Sequence, residues 1–341
     1  MTLNSSGAIS LAGSTTGQSI AIELGQSTTG QISLNDTAVR TLAGVASGAI
    51  IMPTNFYGKS NRATISYTFS SSTSNASLNV TSIGGYVAGK SDITVTVNSG
   101  VYLWASTTSN YGLTLTGGAS GDTLSLVNNG YIIGCGGNGG SNAGPALSLG
   151  FSTSVTNNSY IAGGGGGGYA PGSYNGGGGG GAGGGNGTGG NAAYFSRSNY
   201  AGGSGGSIGN YGCSAGAPAI CVCCSFQFAS GGGGGGRILP GTGGAGANGS
   251  YSHIVASGGG AGGGGGAGGL TGIQNGGSGG SSNSAGSLGS CGSSYGTGMA
   301  GGGGGGWGAS GGRGGSGGNA IAKNGNTLTY VTTGNVWGAV V

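Results

Sequence analysis

The sequence predicts a mostly β and irregular fold, and two features of its composition predict it. Glycine supplies 97 of the 341 residues, whereas only 4% of the residues are charged. Seventy of the glycines lie within residues 161–320, so the chain has two distinct compositions. Glycine lacks a side chain to bury and loses much backbone entropy when ordered, which excludes an ordinary α/β enzyme.

The order of these compositions along the chain predicts four segments. We expect a small β-rich module with one short helix at 1–58, a β-sandwich-like spacer at 59–128, a glycine-rich polyglycine-II helix bundle at 129–320 and a closing β hairpin at 321–341.

The first segment combines β-like alternation with one set of helix signals. Apolar and polar residues alternate over 19–24 and 32–34, which predicts two short strands. Asn35 or Asp36 can then cap a helix that Gly44 ends. We therefore predict a single helix in this module.

Alternation continues through residues 59–128 with turn residues at short intervals, which predicts a small antiparallel sandwich. The heptapeptide at 128–134 (NNGYIIG) is echoed at 157–163 (NNSYIAG), and each copy precedes glycine-rich sequence. We interpret the two copies as paired strands that lead into the next layer. The β-like composition returns at 326–341 and predicts the closing hairpin.

Glycine runs of six residues occupy 163–168, 176–181, 231–236 and 301–306. Two interpretations are open: a flexible linker, or a bundle of polyproline-II-like helices that hydrogen-bond laterally through the glycine N–H groups. Runs of nearly equal length favour the bundle, because stacked helices of common height require them. Inserts between the runs also favour it, since they concentrate aromatic, cysteine and cationic residues that linkers generally lack.

Charge excludes further classes of function. The four acids, Glu23, Asp36, Asp92 and Asp122, all precede residue 123, and four widely spaced cations follow it. A clustered basic face for nucleic acid is therefore not expected. The single histidine lies in the half that has no acids, which argues against an enzyme. No apolar run is long enough to insert into a membrane, and the start of the chain shows no Sec signal peptide.

Cysteine chemistry stays open at this stage. Five of the six cysteines lie within residues 161–320, where most of the glycines are: Cys213, Cys221, Cys223, Cys224 and Cys291. A disulfide among these five would staple a domain that lacks a side-chain core. Free thiols are the alternative, as is a zinc site built on the Cys221–Cys224 pair. No cofactor is expected.

The inserts also hold the candidate binding residues. Large aromatic side chains lie there beside cationic ones, a combination typical of recognition surfaces. The candidates for receptor binding are Tyr194, Phe195, Arg197, Tyr200, Phe226, Phe228, Tyr251 and His253. The alternative is structural, with several of these rings packed over the ends of the bundle.

Two stretches resemble the tail-fibre and tail-tip proteins of tailed bacteriophages. One is the opening LNSSGAISLAGSTTGQSIAIELG with NDTAVRTLAG and IIMPTNFYGKS, and the other joins the echoed heptapeptides, the six-glycine tracts and the closing GNTLTYVTTGNVWGAV. The glycine-rich half resembles the adhesin at the long-tail-fibre tip of some T-even-like phages, in which polyglycine helices form a lattice and distal loops contact the receptor. The CVCC insert departs from that pattern.

This resemblance implies a virion tail-fibre or tail-tip adhesin, made in the host cytoplasm and acting outside the cell. Its 1–58 module would dock to other phage tail proteins, and its inserts would bind a bacterial surface receptor, either an outer-membrane protein or a surface glycan. A homotrimer is a candidate assembly. A purely structural minor tail or decoration protein is the alternative, and an ice-binding or matrix protein is a third class.

Overall fold

The computed structural model describes residues 2–168, 179–185 and 304–341, and the backbone of four short strands outside these ranges. The chain divides into two compact units. Unit 1 comprises Met1–Ile65, Gly84–Ile93 and Ala119–Asp122, and unit 2 comprises Ser66–Ile83, Thr94–Gly118 and Thr123–Val341. The four-segment division drawn from composition stays a prediction.

Unit 1 contains a helix where a strand was predicted. Helix α1 spans Ile20–Leu24. The Ser19 hydroxyl accepts a hydrogen bond from the Ile22 amide, and Gly25 ends the helix in the left-handed region. The strand predicted for 19–24 is therefore wrong, because Ser19 and Gly25 supply an N-cap and a C-cap that override the alternation of apolar residues.

The second helix follows its sequence signals. Helix α2 spans Thr37–Ala43, with Asp36 at its N-cap and Gly44 as its left-handed C-cap, and it buries Val39 and Leu42. A 3-10 turn at Thr54–Phe56 follows. The module thus has two α-helices instead of one, and the pairing within residues 1–60 consists of two isolated bridges, Thr2 with Ser60 and Ser10 with Ser19.

Apolar side chains, mostly aliphatic, form the core of unit 1. Its buried members are Leu3, Ile9, Ile20, Val39, Leu42, Ala43 and Phe56. The Lys90 ammonium donates to the carbonyl of Leu24 (3.2 Å) at the C-terminal end of α1. A cation in this position satisfies an open carbonyl and interacts favourably with the helix dipole.

Strands dominate the rest of the chain as far as the structure describes it. They are β1 Ala63–Phe69, β2 Thr73–Ser74, β3 Ala76–Asn79, β4 Ser91–Val97, β5 Tyr102–Trp104, β6 Leu113–Thr116, β7 Thr123–Asn128, β8 Tyr131–Ile133, β9 Leu147–Leu149, β10 Thr153–Asn157, β11 Tyr160–Ala162, β12 Gly190–Ala192, β13 Ser198–Tyr200, β14 Gln274–Asn275, β15 Ser290–Cys291, β16 Ile321–Ala322, β17 Leu328–Thr332 and β18 Asn335–Trp337. A second 3-10 turn spans Val80–Ser82. The expectation of a mostly β fold is confirmed.

Unit 2 is built on three parallel sheets. Their strand orders are β1-β4-β7-β10-β17, β2-β5-β8-β11-β18 and β3-β6-β9-β16. Up to β11, each neighbour in a sheet lies three strands further along the chain, so the chain passes through all three sheets before it returns to the first. This is the topology of a parallel β-helix with three strands per coil.

The echoed heptapeptides mark one coil of this β-helix. Strand β10 pairs with β7 so that Asn157 faces Asn128, and β11 pairs with β8 so that Tyr160 faces Tyr131. Equivalent residues are 29 apart in sequence. The prediction that the two copies form paired strands is confirmed.

The antiparallel sandwich predicted for 59–128 is wrong, since β2 pairs in parallel with β5 and β3 with β6. The alternation of apolar and polar residues shows which face of a strand is buried. It does not show whether neighbouring strands run parallel or antiparallel. The turns that resembled hairpin loops are corners between sheets. Gly117 and Gly118, both at positive φ, connect β6 to β7 in a different sheet.

The predicted closing hairpin at 321–341 is also wrong. Strand β17 pairs in parallel with β10, and β18 pairs in parallel with β11. Ile321 forms a parallel bridge with Val340. The two C-terminal strands therefore extend the β-helix by a further coil instead of pairing with each other.

Side chains that point inward fill the β-helix. The fully buried members include Val95, Val97, Leu103, Leu113, Leu115, Leu126, Ile132, Leu147, Leu149, Val155 and Ile161. The buried side chains also include a pair of asparagines. The Asn128 Nδ2 donates to Asn157 Oδ1 (2.8 Å), and Asn157 Nδ2 donates to the carbonyls of Thr333 and Asn335 (2.7 and 3.1 Å).

An aromatic ladder runs across the second sheet. The rings of Tyr102, Tyr131 and Tyr160 stack in succession, and Trp337 meets Tyr160 edge to face. These half-buried rings pack against a buried cluster formed by Ile133, Ala162, Ala182 and Trp307. Trp307 is fully buried and is the largest side chain of this cluster.

Candidate functional site

The glycine run that follows β11 is hydrogen-bonded through every one of its backbone groups. Each amide of residues 163–168 donates to a different carbonyl. The donor and acceptor pairs are Gly163 to Trp337 (2.9 Å), Gly164 to Gly144 (2.9 Å), Gly165 to Ala182 (2.7 Å), Gly166 to Ala309 (2.9 Å), Gly167 to Ser141 (2.8 Å) and Gly168 to Gly179 (2.7 Å).

The six carbonyl groups of the same run also accept hydrogen bonds. They accept, in order from residue 163 to 168, from the amides of Gly308, Gly318, Gly137, Gly305, Gly315 and Gly140, at 2.7 to 2.9 Å. Residues three apart along the run share a neighbouring segment, as Gly164 and Gly167 share 141–144. The run therefore bonds outward in several directions with a period of three residues.

Glycine is required here because the neighbouring backbones lie in contact. A Cβ on Gly164 would overlap the carbonyl of Cys135, and one on Gly167 would overlap that of Asn138. The same holds for Gly181 against Gly165 and for Gly318 against Gly144. No side chain fits at these positions, which explains a tract of consecutive glycines by packing alone.

Two turns lie at the end of the run that is remote from β11. In one, the Ser141 amide donates to Asn138 (2.7 Å) and Gly140 takes a positive φ of 81°. In the other, Gly311 donates to Gly315 (3.0 Å), and Arg313 takes a positive φ of 48°. The side-chain oxygen of Asn142 accepts from the Ser316 amide (2.9 Å) and joins the two segments.

Most of the residues predicted to bind a receptor lie outside the described residues. These are Tyr194, Phe195, Arg197, Phe226, Phe228, Tyr251 and His253. Tyr200 falls in β13, which pairs antiparallel with β12 and sets Gly190 opposite Tyr200. Residues 193–197 thus connect two paired strands, and the roles of all eight residues stay predictions.

The cysteine hypotheses also stay untested. Cys213, Cys221, Cys223 and Cys224 lie outside the described residues, while Cys291 lies in β15 opposite Gln274 of β14. Cys135, beside the glycine run, is buried, and its Sγ lies 3.6 Å from the Gly136 carbonyl. Within the described ranges, no group of histidine, cysteine or acidic residues is arranged to hold a metal ion.

All four acids of the chain belong to unit 1. Arg62 Nε donates to both carboxylate oxygens of Asp92 (2.8 Å each), and its two Nη atoms donate to the carbonyls of Ser91 and Gly121 (2.9 Å each). The hydrogen bond with Asp92 raises the pKa of Arg62. This arginine is therefore a structural one.

Asp122 is a second internally satisfied acid of unit 1. Burial acts to raise the pKa of Asp122, but hydrogen bonds from the Ser91 and Ala119 amides and the Tyr86 hydroxyl outweigh burial and lower it. By contrast, the sequence of unit 2 contains cations and no acid.

Sequence reasoning placed the candidate site in the long inserts and missed the two short turns at 138–141 and 311–315. A signal for the second turn was present, because the run GGRGG sets one arginine among glycines.

Within the part of the chain that the structure describes, no helix is both long and apolar enough to cross a bilayer.

The chain is similar to phage tail fibre adhesins in two comparisons with known proteins. Residues 64–221 match the family model described as phage tail fibre adhesin Gp38. No curated protein matches the chain significantly. A crystal structure described as the gp37-gp38 adhesin tip complex of the bacteriophage S16 long tail fibre is similar at 16% identity, with 97% of this chain and 100% of that chain covered and a TM-score of 0.38.

The family match covers most of β1, the strands from β2 to β13, the first two glycine runs and part of the inserts. Tail fibre adhesins are components of the virion tail, which confirms the localisation predicted from the sequence. The resemblance predicted from the sequence is likewise confirmed, since residues 64–221 match the family model of the Gp38 phage tail fibre adhesins.

Proposed function

We propose that the chain is a receptor-binding adhesin of a phage tail, which binds a bacterial surface through loops between glycine tracts and docks to other tail proteins through its N-terminal module. The observation that carries this proposal is the pairing of all twelve backbone groups of residues 163–168 with surrounding segments. A tract bonded in this way is a rigid base for the inserts that leave it.

The glycine-rich half forms a polyglycine-II bundle in this proposal. A polyproline-II-type helix has three residues per turn, so residues three apart lie on the same side. The bonding of residues 163–168 has this period, since Gly164 and Gly167 donate to Gly144 and Ser141, and Gly165 and Gly168 donate to Ala182 and Gly179. The overlap that any added Cβ would cause supports the same helix type.

The bundle would serve recognition by removing flexibility at the base of each loop. A loop with ends held in a hydrogen-bonded lattice loses less conformational entropy on binding than a free linker would. The inserts supply rigid aromatic rings such as Tyr194 and Phe195 and cations such as Arg197, the residue types that contribute most to binding energy at interfaces.

Unit 1 offers a surface for docking to another tail protein. Ile51 and Val87 are its large exposed apolar residues among those that the structure describes, at 61% and 48% exposure. Ile51 lies within residues 1–58 and is the more exposed of the two, so it is the side chain to test for contact with a partner. Substitution of Ile51 by Asp should reduce the incorporation of the protein into purified phage tails without changing its adsorption to cells.

The receptor-binding role is tested with a loop variant in which Tyr194, Phe195, Arg197 and Tyr200 are replaced together by Ser. Purified protein is added to host cells, and the bound fraction is measured. We expect a loss of about 2–4 kcal/mol in binding free energy if two or more of these side chains are hot spots. The control is Tyr67→Ser, which removes an exposed ring from β1.

Equal adsorption by the loop variant, the control and the unmodified protein would contradict the role assigned to this loop. If variants of the inserts at 219–228 and 251–255 also bound undiminished, or if the unmodified protein bound no bacterial surface, the purely structural tail protein would be the better account.

A further inference from the structure

Arg313 occupies a backbone conformation that favours glycine. Its φ is 48°, and its neighbours at 311, 312, 314 and 315 are all glycine. A residue with a Cβ is strained in this left-handed region, whereas glycine adopts it freely. An arginine therefore stands where glycine would give the more stable turn.

The base of this turn is fixed to the glycine run. Gly311 and Gly315 are buried and joined by a hydrogen bond of 3.0 Å, and the Gly315 amide donates to the Gly167 carbonyl (2.7 Å). Arg313 itself is exposed between them. The turn thus presents one cationic side chain on a rigid support, at the end of the run remote from β11.

The other arginines in the described part of the chain have internal partners. Arg62 is held by Asp92 and two carbonyls, and Arg40 donates to the carbonyls of Ala46 and Gly48 (3.3 and 2.8 Å). Arg313 has neither a hydrogen bond nor an ion pair with any described residue, and the sequence of unit 2 offers it no carboxylate. Its charge contributes nothing visible to the fold.

We propose that Arg313 is an anion-binding residue of the adhesin, which binds a phosphate or carboxylate group on the bacterial surface. This inference rests on the proposed receptor-binding function. A planar guanidinium matches the geometry of both anions with paired N–H donors. The backbone of Ser141, which is exposed in the adjacent turn, lies against Gly315.

The test compares three variants of Arg313 with one control in the adsorption of purified protein to host cells. Arg313→Gly removes both the charge and the backbone strain, Arg313→Gln removes the charge alone, and Arg313→Lys keeps the charge. The control is Lys323→Gln, which removes a cation of the same unit close to β16. Thermal unfolding is recorded for all of them.

We expect the Gly and Gln variants to bind roughly tenfold more weakly, because a charge-assisted hydrogen bond is lost. The Lys variant should fall between these and the unmodified protein, and the control should bind normally. Arg313→Gly should melt no lower than the unmodified protein, so its weaker binding could not be ascribed to misfolding. The loss should also shrink as salt is added.

Two treatments of the cells identify the source of the anion. If the anion belongs to a surface glycan, the difference between the Gln variant and the unmodified protein should persist after protease treatment and vanish after enzymatic removal of the glycan. If the anion is a carboxylate of a surface protein, the difference should vanish after protease treatment and persist after removal of the glycan.

Normal adsorption by the Gly and Gln variants, together with a loss in the loop variant, would overturn the role of Arg313 and leave the proposed function intact. If neither set of variants lost binding, both proposals would fail.

Discussion

The β-helix and the glycine run of unit 2 reach order by opposite means. In the β-helix, inward side chains such as Leu103, Leu126 and Ile132 are fully buried. In the run at 163–168 there are no side chains, and each amide and carbonyl is paired with a neighbouring backbone. Burial of apolar area stabilises the first region. Complete backbone pairing at close contact holds the second, so a packed interior does not require side chains.

The two regions should therefore respond to substitutions of opposite size. In the β-helix, removal of a methyl group leaves a cavity. In the glycine run, addition of a methyl group causes overlap with a neighbouring backbone.

The largest effect is expected from Gly166→Val. A Cβ on Gly166 would overlap the carbonyl of Gly315, and the branched side chain has no other direction to occupy. We expect a loss of about 4 kcal/mol or more in unfolding free energy, at the upper end of the range for overpacking. Thermal or denaturant unfolding measures it.

Two matched glycines serve as controls for that variant. A Cβ on Gly84 meets nothing within 4 Å, and Gly140 has equally open space but a φ of 81°. Gly84→Ala should be nearly neutral, and Gly140→Ala should cost about 1 kcal/mol through backbone strain alone. Equal losses at all three positions would show that contact between backbones is not the cause.

The β-helix should lose stability when a side chain is shortened. Leu126 is fully buried in β7, so Leu126→Ala should cost about 3 kcal/mol through lost burial and the cavity left behind. The same chemical denaturation experiment measures this loss. A loss below about 1 kcal/mol would mean that the coil collapses around the missing atoms and that the interior is loosely packed.

The buried asparagine pair should give a smaller effect. Asn157→Ala removes the acceptor of Asn128 and leaves the carbonyls of Thr333 and Asn335 without that donor. We expect a loss of about 2 kcal/mol, since buried polar groups without partners are costly. Asn158→Ala, which breaks the exposed pair with Asn129, is the control and should change stability little. Equal effects would argue against a special role for the buried pair.

The smallest expected effect is a difference between the two units in how their stability depends on pH. The pKa of Asp122 lies below its usual value, so its contribution to stability is fully present above that value and is lost as pH falls through the lowered pKa. Unit 1 should weaken below about pH 4, and Asp122→Asn should remove part of this dependence. Unit 2 contains no acid and should be insensitive over that range; acid unfolding followed by residue-resolved exchange distinguishes the two units.

Local signals were predictable from the sequence where one residue type decides the geometry. Gly44, together with a cap at Asn35 or Asp36, predicted α2, and the spacing of the echoed heptapeptides predicted two paired strands. The glycine run at 163–168 implied lateral backbone bonding because only glycine permits it. These inferences depend on contacts that the sequence pattern itself requires.

The remaining features depend on pairings that the pattern does not encode. Alternation in β4 and β7 fits antiparallel and parallel sheets equally, so the β-helix was missed. The strand predicted at 19–24 became α1 because Ser19 caps it. The Arg313 turn was overlooked because its importance lies in a positive φ and an absent partner, neither of which a sequence displays.

Amide hydrogen exchange of residues 163–168, measured on the intact protein by fragment mass spectrometry, tests the backbone-paired interior most directly. If every N–H of the run is paired as described, these amides should exchange as slowly as those of β7 and β10, far below the rate of an unstructured chain. Exchange of the run at the unstructured rate, while β7 and β10 remain protected, would contradict the account.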